Sequence, residues 1–392
     1  MLRRLLWLSV GTFVIGAESF LLAGVLPAIA DDLGTTIAAA GQLISAYALA
    51  YAIGSPILAT LLARAPRKAM LVGGLVAFAL SNAVAGLATS FAVLVAARIL
   101  LGLSAGLFTP TANAVAVALV PPAMRGRAIA TVIGGMTVAV ALGAPLGTLL
   151  AAQSSWRMPF LVIAGVSGLA ALGLLVGLPS DLPRSSASLS ERVALLANRR
   201  VLKALLVTLF WAASAFTVFT YVAPLLASVG IDGSLVSAAF FAFGVASALG
   251  NAYGGIVVDR IGAVRTQSAS LSTLVVALLA LSLVATAMPV PLAAFATVAL
   301  LAVWGVAGWA FYPAQSARLV DIAPEAPVVA LSLNSSALFF GQAAGATFGS
   351  LVVTRLGPAD LGWAGAAVAL LALAALAWST RPSKAPAPLP AE

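Results

Sequence analysis

GTFVIGAESFLLAGVLP, residues 11–27, is an apolar run that carries a single acid, Glu18, near its middle. A helix that crosses a bilayer needs roughly 20 mostly apolar residues, and this run with its flanks is long enough. A carboxylate in hydrocarbon is costly unless it is paired, protonated or wetted by a cavity. The stretch therefore predicts a transmembrane helix that holds a functional carboxyl group.

The rest of the chain has the same character. Of its 392 residues, 62% are hydrophobic and 8% are charged, against about 25% charged in soluble domains. Nearly uncharged runs occur at about 5–27, 40–62, 69–89, 92–119, 128–151, 158–178, 202–227, 234–257, 266–287, 291–316, 328–353 and 361–379. We therefore expect an all-α integral membrane protein with twelve transmembrane helices.

The basic residues predict the orientation of these helices. The formal net charge is +9, but Lys and Arg in a membrane protein are retained mainly on the cytoplasmic side. Of the 20 basic residues, only Arg157 and Arg355 fall in the loops of one side, and Arg98 falls within a helix. We expect both termini in the cytoplasm of a cell whose inner membrane the chain spans, and no nucleic-acid partner.

Several classes of function lack the residues that they need. The chain has no Cys and no His, which removes thiol chemistry and the commonest proton shuttle and metal ligand. No lysine follows a glycine, so a Gly-Lys-Ser/Thr phosphate loop is missing from the sequence. We expect neither an enzyme nor a cofactor or metal site.

The chain divides into two similar halves. Three landmarks recur in the same order at offsets of 197, 203 and 202 residues: Pro27 with Pro224, Pro110 and Pro121 with Pro313 and Pro324, and Gly143 to Gly147 with Gly345 to Gly349. With six helices on each side, the repeats are parallel, as in large secondary transporters with a site between their halves.

The predicted organisation has four parts. Residues 1–178 form an N-terminal six-helix bundle, 179–200 a cytoplasmic linker, 201–380 a C-terminal six-helix bundle and 381–392 a disordered cytoplasmic tail. Within the linker, Ser188 and Glu191 fit a helix capping box. The linker therefore contains either a short surface helix or a solvated charged segment.

Three short motifs accompany the repeat. Gly255-Ile-Val-Val-Asp259-Arg260-Ile-Gly262 follows the eighth predicted helix, Arg98-Ile-Leu-Leu-Gly102 lies in the fourth, and Gly143-Ala-Pro145-Leu-Gly147 lies in the fifth. Because these motifs occur in this order, the chain resembles the major facilitator superfamily, and within it the bacterial drug:proton antiporters and the sugar and purine efflux permeases. The resemblance implies two six-helix bundles related by pseudo-two-fold symmetry that transport a solute by alternating access.

Glu18 and Arg98 are the formal charges that the sequence places deep inside helices. At about 1.5 Å of rise per residue, both lie roughly 10 Å from the outer edge of the membrane core, so we expect them to touch. Two interpretations remain open. The pair is a permanent structural contact, or it breaks in one state and Glu18 then takes up a proton; the family resemblance favours proton coupling.

Charged residues near two cytoplasmic turns are candidates for a gate. The resemblance implies this role for Gly255, Asp259, Arg260 and Gly262. The alternative is that the turn only fixes the orientation of the chain through its positive charges, and the acid Asp259 would add nothing to that function. The first-half counterpart keeps three basic residues, Arg64, Arg67 and Lys68, but has Ala63 where the family has an acid. That loop is a gate partner or only an anchor.

The small residues of the fifth helix have two interpretations. Gly143, Pro145 and Gly147 allow a helix to bend and to approach a neighbour closely. The resemblance implies the antiporter signature, whereas ordinary packing of small residues explains the pattern equally well.

Polar and aromatic residues within the helices are candidates for a substrate cavity. The candidates are Gln42, Tyr47, Asn113, Trp211, Tyr221, Asn251, Tyr312 and Gln342, with Tyr253, Trp309, Gln315 and Asn334 as further possibilities. The scarcity of acids favours an apolar or weakly polar solute.

The sequence thus predicts a monomeric secondary transporter in a lipid bilayer. Its expected partners are protons and a small-molecule substrate, such as a drug-like compound, sugar or nucleoside, that leaves the cell. The alternative is a proton-coupled uptake symporter of a sugar or metabolite.

Overall fold

The computed structural model describes residues 2–121, 124–180, 182 and 194–381. These residues form twelve helices that are long and apolar enough to cross a membrane, and no strand occurs among them. The first six are α1 (Leu2–Asp32), α2 (Ile37–Leu61), α3 (Arg67–Gly86), α4 (Phe91–Ala118), α5 (Arg125–Gln153) and α6 (Met158–Gly177). The other six are α7 (Arg199–Phe219), α8 (Ser234–Ile261), α9 (Ala263–Ala287), α10 (Val290–Ile322), α11 (Pro327–Arg355) and α12 (Leu361–Thr380).

The predicted helices are confirmed, and their ends differ in places. Helix α10 contains Pro313 in its interior and continues to Ile322, six residues beyond the apolar run. The seventh predicted helix is instead divided: α7 ends at Phe219, and a separate short helix covers Val222–Ser228. Pro224 has no N–H to donate to the carbonyl of Thr220, which weakens the helix at this point.

The helices pack in the same pairs in both halves, as the sequence repeat predicts. Helix α1 packs on α5, α2 on α4 and α3 on α6; in the second half α7 packs on α11, α8 on α10 and α9 on α12. The halves meet through two equivalent pairs, α2 with α11 and α5 with α8. The fold is therefore two six-helix bundles related by a pseudo-two-fold axis.

Loops alternate between the two ends of the bundle. The end with the turns after α2, α4, α8 and α10 carries most of the basic side chains, including Arg64, Arg125 and Arg260; we call it the basic face and the other end the opposite face. Ser188 and Glu191, and the predicted tail beyond Arg381, lie outside the described residues.

Glycines allow the closest helix pairs to form. A Cβ at Gly135 or Gly143 of α5 would collide with backbone of α1, and one at Gly341 or Gly345 of α11 would collide with backbone of α7. Lipid tails are as apolar as leucine side chains, so helices in a membrane associate through such close van der Waals packing. These glycines hold α1 and α7, the first helix of each half, against their neighbours.

Adjacent glycines of α5 provide a test of this packing. A Cβ at Gly135 would meet the carbonyl of Ser9 and the hydroxyl of Thr12, whereas one at Gly134 has no heavy atom within 4 Å. We expect Gly135→Val to lower the free energy of unfolding by roughly 1 to 3 kcal/mol because α1 must shift. Gly134→Val is the matched control. Denaturation of the purified protein in detergent measures both, and equal stability of the two variants would contradict this packing.

Candidate transport site

Glu18 and Arg98 form an ion pair between α1 and α4. Arg98 Nη1 contacts Glu18 Oε1, and both side chains are fully buried. Helix α2 holds the arginine from a second side: Arg98 Nε donates a hydrogen bond of 3.1 Å to the carbonyl of Leu43, and the guanidinium lies 4.6 Å from the centre of the Tyr47 ring. The pair thus joins three helices of the first half.

The ion pair leaves both groups incompletely satisfied. Apart from the pair itself, no hydrogen-bond partner in the described part of the chain reaches either oxygen of Glu18 or either terminal nitrogen of Arg98. When a buried ion pair separates inside the membrane, each charge stays in an apolar surrounding that solvates it poorly. A separation of these residues would therefore leave a buried charge without its partner, which is costly.

The pair has no counterpart in the second half. At the offset of 197 residues, Ala215 corresponds to Glu18, and at the offset of 203 residues, Leu301 corresponds to Arg98. Ala215 faces the space between the halves, and Leu301 is buried. The acid and its partner thus belong to one bundle only.

A cavity of about 230 Å³ lies between the halves. Its walls come from α1, α2, α4 and α5 of the first half and from α7, α8, α10 and α11 of the second, so each half contributes its equivalent helices. None of the described residues that line it carries a formal charge. The second half supplies most of the aromatic side chains: Trp211, Phe216, Phe219, Phe243, Trp304, Trp309, Tyr312 and Phe339.

The structure brings some of the predicted cavity residues together and places others elsewhere. Asn113, Trp211, Tyr312 and Gln342 line the cavity, as does Trp309. The remaining candidates lie elsewhere. Tyr47 lies beside Arg98, and Gln42 and Tyr221 lie where the halves meet. Asn251 is half-buried on α8 and Tyr253 is exposed, whereas Gln315 and Asn334 belong to a buried polar cluster with Thr208.

Sequence reasoning missed the apolar part of the cavity wall. Ser19 and Phe20 of α1 and four further phenylalanines line it without having been candidates. A usable signal exists on α7 and α10, where Trp211, Ala215 and Phe219 and then Trp304, Gly308 and Tyr312 recur at four-residue spacing and so share one helix face.

Polar contacts between the halves lie toward the opposite face. On one side, the Ser45 hydroxyl is 3.2 Å from the carbonyl of Ala343 and 3.1 Å from the hydroxyl of Thr347. On the equivalent side, Thr148 and Ser237 share a hydrogen bond of 2.6 Å. The opposite face is thus held shut, whereas Asn113 and Tyr312 extend the cavity wall toward the basic face.

The Tyr221 hydroxyl reinforces this closure. It donates a hydrogen bond of 3.0 Å to the carbonyl of Ala346 and approaches the carbonyl of Ala38, at 3.5 Å, in the other half. Gly41 leaves room for the phenol, since a Cβ there would collide with it.

The second-half gate motif lies on the basic face. Gly262 adopts a positive φ of 85°, so α8 can end at Ile261 and α9 begin at Ala263 with one residue between them. Asp259 and Arg260 are exposed on the last turn of α8, next to half-buried Gly255 on the preceding turn. Asp259 forms no ion pair with any basic residue that the structure describes.

The first-half loop takes a different position. Lys68 Nζ donates a hydrogen bond of 2.8 Å to the carbonyl of Leu178, at the end of α6. Arg64 is exposed and Arg67 is half-buried at the start of α3. Lys68 thus ties this loop to its own half.

The small residues of α5 pack on the part of α1 that carries the acid. A Cβ at Gly143 would collide with the backbone of Ala17, and one at Gly147 would collide with Leu21. Pro145 lies between them in the interior of α5. The position of Glu18 therefore depends directly on the shape of this helix.

Comparison with known proteins identifies the family. The model of the Major Facilitator Superfamily matches residues 8–324 and 204–392. The chain is 34% identical to the inner membrane transport protein YdhP of Escherichia coli (strain K12) over 96% of both chains, and 35% identical to a chloramphenicol resistance protein of Streptomyces lividans over 86% of both. Among solved structures, a D-xylose-proton symporter superposes with a TM-score of 0.80 at 17% identity, covering 95% of this chain and 97% of its own.

The chain belongs to the major facilitator superfamily and is a multi-pass membrane transporter of that family. The match spans both halves, as the internal repeat and the motifs predicted.

The ion pair makes a prediction about stability. Arg98→Met or Glu18→Leu alone leaves a buried charge without its partner and should cost about 3 to 5 kcal/mol of unfolding free energy. The double variant should recover most of that loss. Asp32 and Arg157, a partly exposed ion pair with a distance of 2.8 Å, provide the control, and each of their variants should cost less than about 1 kcal/mol. Strictly additive losses at positions 18 and 98 would contradict the contact.

Proposed function

We propose that this transporter exports a small, uncharged, largely apolar molecule in exchange for protons, by alternating access. Two features together carry the proposal. One is an aromatic cavity between the halves whose described residues carry no charge, and the other is the buried ion pair of Glu18 with Arg98 directly behind one of its walls. Drug-like compounds fit this description best among the solutes that the sequence left open.

The cavity wall supports this class of substrate. An organic cation would lose its hydration in the cavity without meeting a carboxylate, since no acid lines the wall. A sugar needs many hydrogen-bond partners, whereas most of the accessible surface of the wall is apolar, although hydroxyl and amide side chains such as Asn113 and Gln342 take part in it. Flat apolar molecules instead gain contact with aromatic rings such as Trp211 and Trp309. The chloramphenicol resistance protein among the relatives is consistent with export of such compounds.

The location of Glu18 supports proton coupling. Its neighbour Ser19 lines the cavity, while Glu18 itself faces Arg98 and is fully buried. In the proposed cycle, Glu18 is ionised while it contacts Arg98 and binds a proton when the contact is lost. The substrate then favours the state in which Glu18 contacts Arg98, and the proton favours the state in which this contact is lost. Because the two ligands favour different states of the transporter, they are carried in opposite directions.

The two faces supply the alternation. The proposal assigns the basic face to the cytoplasm, with both termini, and assigns this arrangement to the inward-facing state in the cell membrane. Asp259, Arg260 and the basic residues of the first-half loop then form the gate that closes the basic face in the outward-facing state. The exposure of Asp259 and its lack of an ion pair with the described residues support this role, since the opposite face is closed.

Expression in a host that lacks its own exporters tests the substrate class. We expect raised tolerance to neutral aromatic antibiotics and dyes, and little change for sugars, nucleosides or cationic dyes.

With a compound from that screen, substrate movement in proteoliposomes should drive protons in the opposite direction, and Glu18→Gln should abolish this proton movement.

Asp232→Asn, at an exposed acid in the loop before α8, is the control and should transport normally. If protons move in the same direction as the substrate, the assignment as an exporter is wrong and the alternative, an uptake symporter, replaces it. Unchanged proton movement in Glu18→Gln would remove Glu18 from the mechanism.

A further inference from the structure

The proton site lies in the first half, yet alternating access requires it to respond to the second half. Among the described residues, Glu18 faces one charged group, Arg98, which also belongs to the first half. Any signal from the second half must therefore pass through a helix that touches both the ion pair and the other bundle. Helix α1 meets the second half itself, through Phe20 against Phe219 and Trp309. Helix α2 is the other such helix, because it supplies Leu43 and Tyr47 to Arg98 and packs on α11.

One aromatic contact crosses from α11 to this part of α2. Phe339 stacks on Tyr51, with ring centroids 3.7 Å apart and an angle of 25° between the rings. The same phenylalanine lies 6.2 Å from the Tyr47 ring. Phe339 also lines the substrate cavity, so it meets the substrate and both tyrosines.

Tyr47 connects this contact with the ion pair. Its ring is fully buried and lies against the Arg98 guanidinium, at 4.6 Å. Its hydroxyl is 3.1 Å from the hydroxyl of Ser19, which lines the cavity and follows Glu18 directly in the chain. A cation against the face of a buried aromatic ring is stabilised by the ring's electrons, so the position of the Tyr47 ring affects where Arg98 lies.

We propose that Phe339 is a positioning residue that couples the second half to the proton site, through the Tyr51 and Tyr47 rings. With the opposite face closed, Phe339 holds the Tyr47 ring against Arg98 and the ion pair stays formed. When α11 moves away, Tyr47 loses this support, Arg98 loses its aromatic neighbour, and Glu18 is released to bind a proton. The inference rests on the proposed proton coupling and adds the residue that transmits it.

The alternative route along α2 is the polar contact of Ser45 with Ala343 and Thr347. Neither the Ser45 hydroxyl nor Thr347 has a hydrogen bond or ion pair to Arg98 or Glu18. This contact closes the opposite face but has no direct link to the ion pair, whereas the aromatic contact reaches it through one side chain.

The test measures substrate affinity at two pH values, one with Glu18 ionised and one with it protonated. Quenching of Trp211 and Trp309, which line the cavity, gives the dissociation constant of the exported compound found by screening. Coupling is the ratio of the two constants, and typical couplings between sites are roughly 5- to 150-fold. Phe339→Ala should weaken binding at both pH values, because the ring contacts the substrate, and should bring the ratio toward one.

Three further variants separate coupling from structure. Phe339→Tyr and Tyr47→Phe keep the aromatic rings and should keep the ratio of the two dissociation constants. Tyr47→Leu removes the ring that lies against Arg98 and, like Phe339→Ala, should bring this ratio toward one. Phe340→Ala changes the next residue of α11, which is 39% exposed and outside the cavity, and should match wild type in affinity and ratio. Tyr47→Leu also keeps the test decisive if Phe339→Ala does not fold.

A wild-type ratio that survives both Phe339→Ala and Tyr47→Leu would overturn the inference. So would weaker binding in these variants with an unchanged ratio, which indicates that the rings only bind substrate or support the fold. A ratio near one in wild type, or one that Glu18→Gln leaves intact, is a failure of the proposed proton coupling itself, and the inference would fall with it.

Discussion

The ion pair between Glu18 and Arg98 is the constraint on which the rest of the site depends. Both charges are fully buried, and neither terminal group has another hydrogen-bond partner among the described residues. Each charge is therefore stable only while the other is in place. Helices α1 and α4 meet at this depth, and in the proposed cycle a movement that separates them is accompanied by a proton on Glu18.

The pseudo-symmetric fold carries an asymmetric site. The two halves repeat the same helix pairs, including the glycine contacts of α5 on α1 and of α11 on α7. The ion pair, however, belongs to the first half, and most aromatic side chains of the cavity belong to the second. In the proposed cycle, the proton binds in the first half while the substrate meets both halves, and we propose that the contact between α2 and α11 couples the two events.

The sequence was sufficient to predict the twelve helices, the repeat and the meeting of Glu18 with Arg98, because length, charge and depth decide these features. It was insufficient for the cavity wall. Lipid tails and helix contacts are both apolar, so apolar residues such as Phe216 and Phe243 carry little information on which face of a helix points inward. Tyr47 and Tyr221 were predicted at the cavity on their polarity, whereas the structure uses their hydroxyls to join helices. The break after Phe219 was not predictable from Pro224, because the equivalent Pro27 lies within the unbroken helix α1.

In the proposed cycle, Glu18 is ionised while the opposite face is closed and protonated when that face opens. The chain has no cysteine, so Ser45→Cys with Thr347→Cys introduces one disulfide across the contact that closes this face. Infrared difference spectroscopy then reports the carboxyl group of Glu18, with Glu18→Gln as the reference. We predict no protonated-carboxyl band from Glu18 in the oxidised, locked protein, and its appearance after reduction when the substrate is removed and the pH is lowered. A band of equal strength in the locked protein would contradict the account.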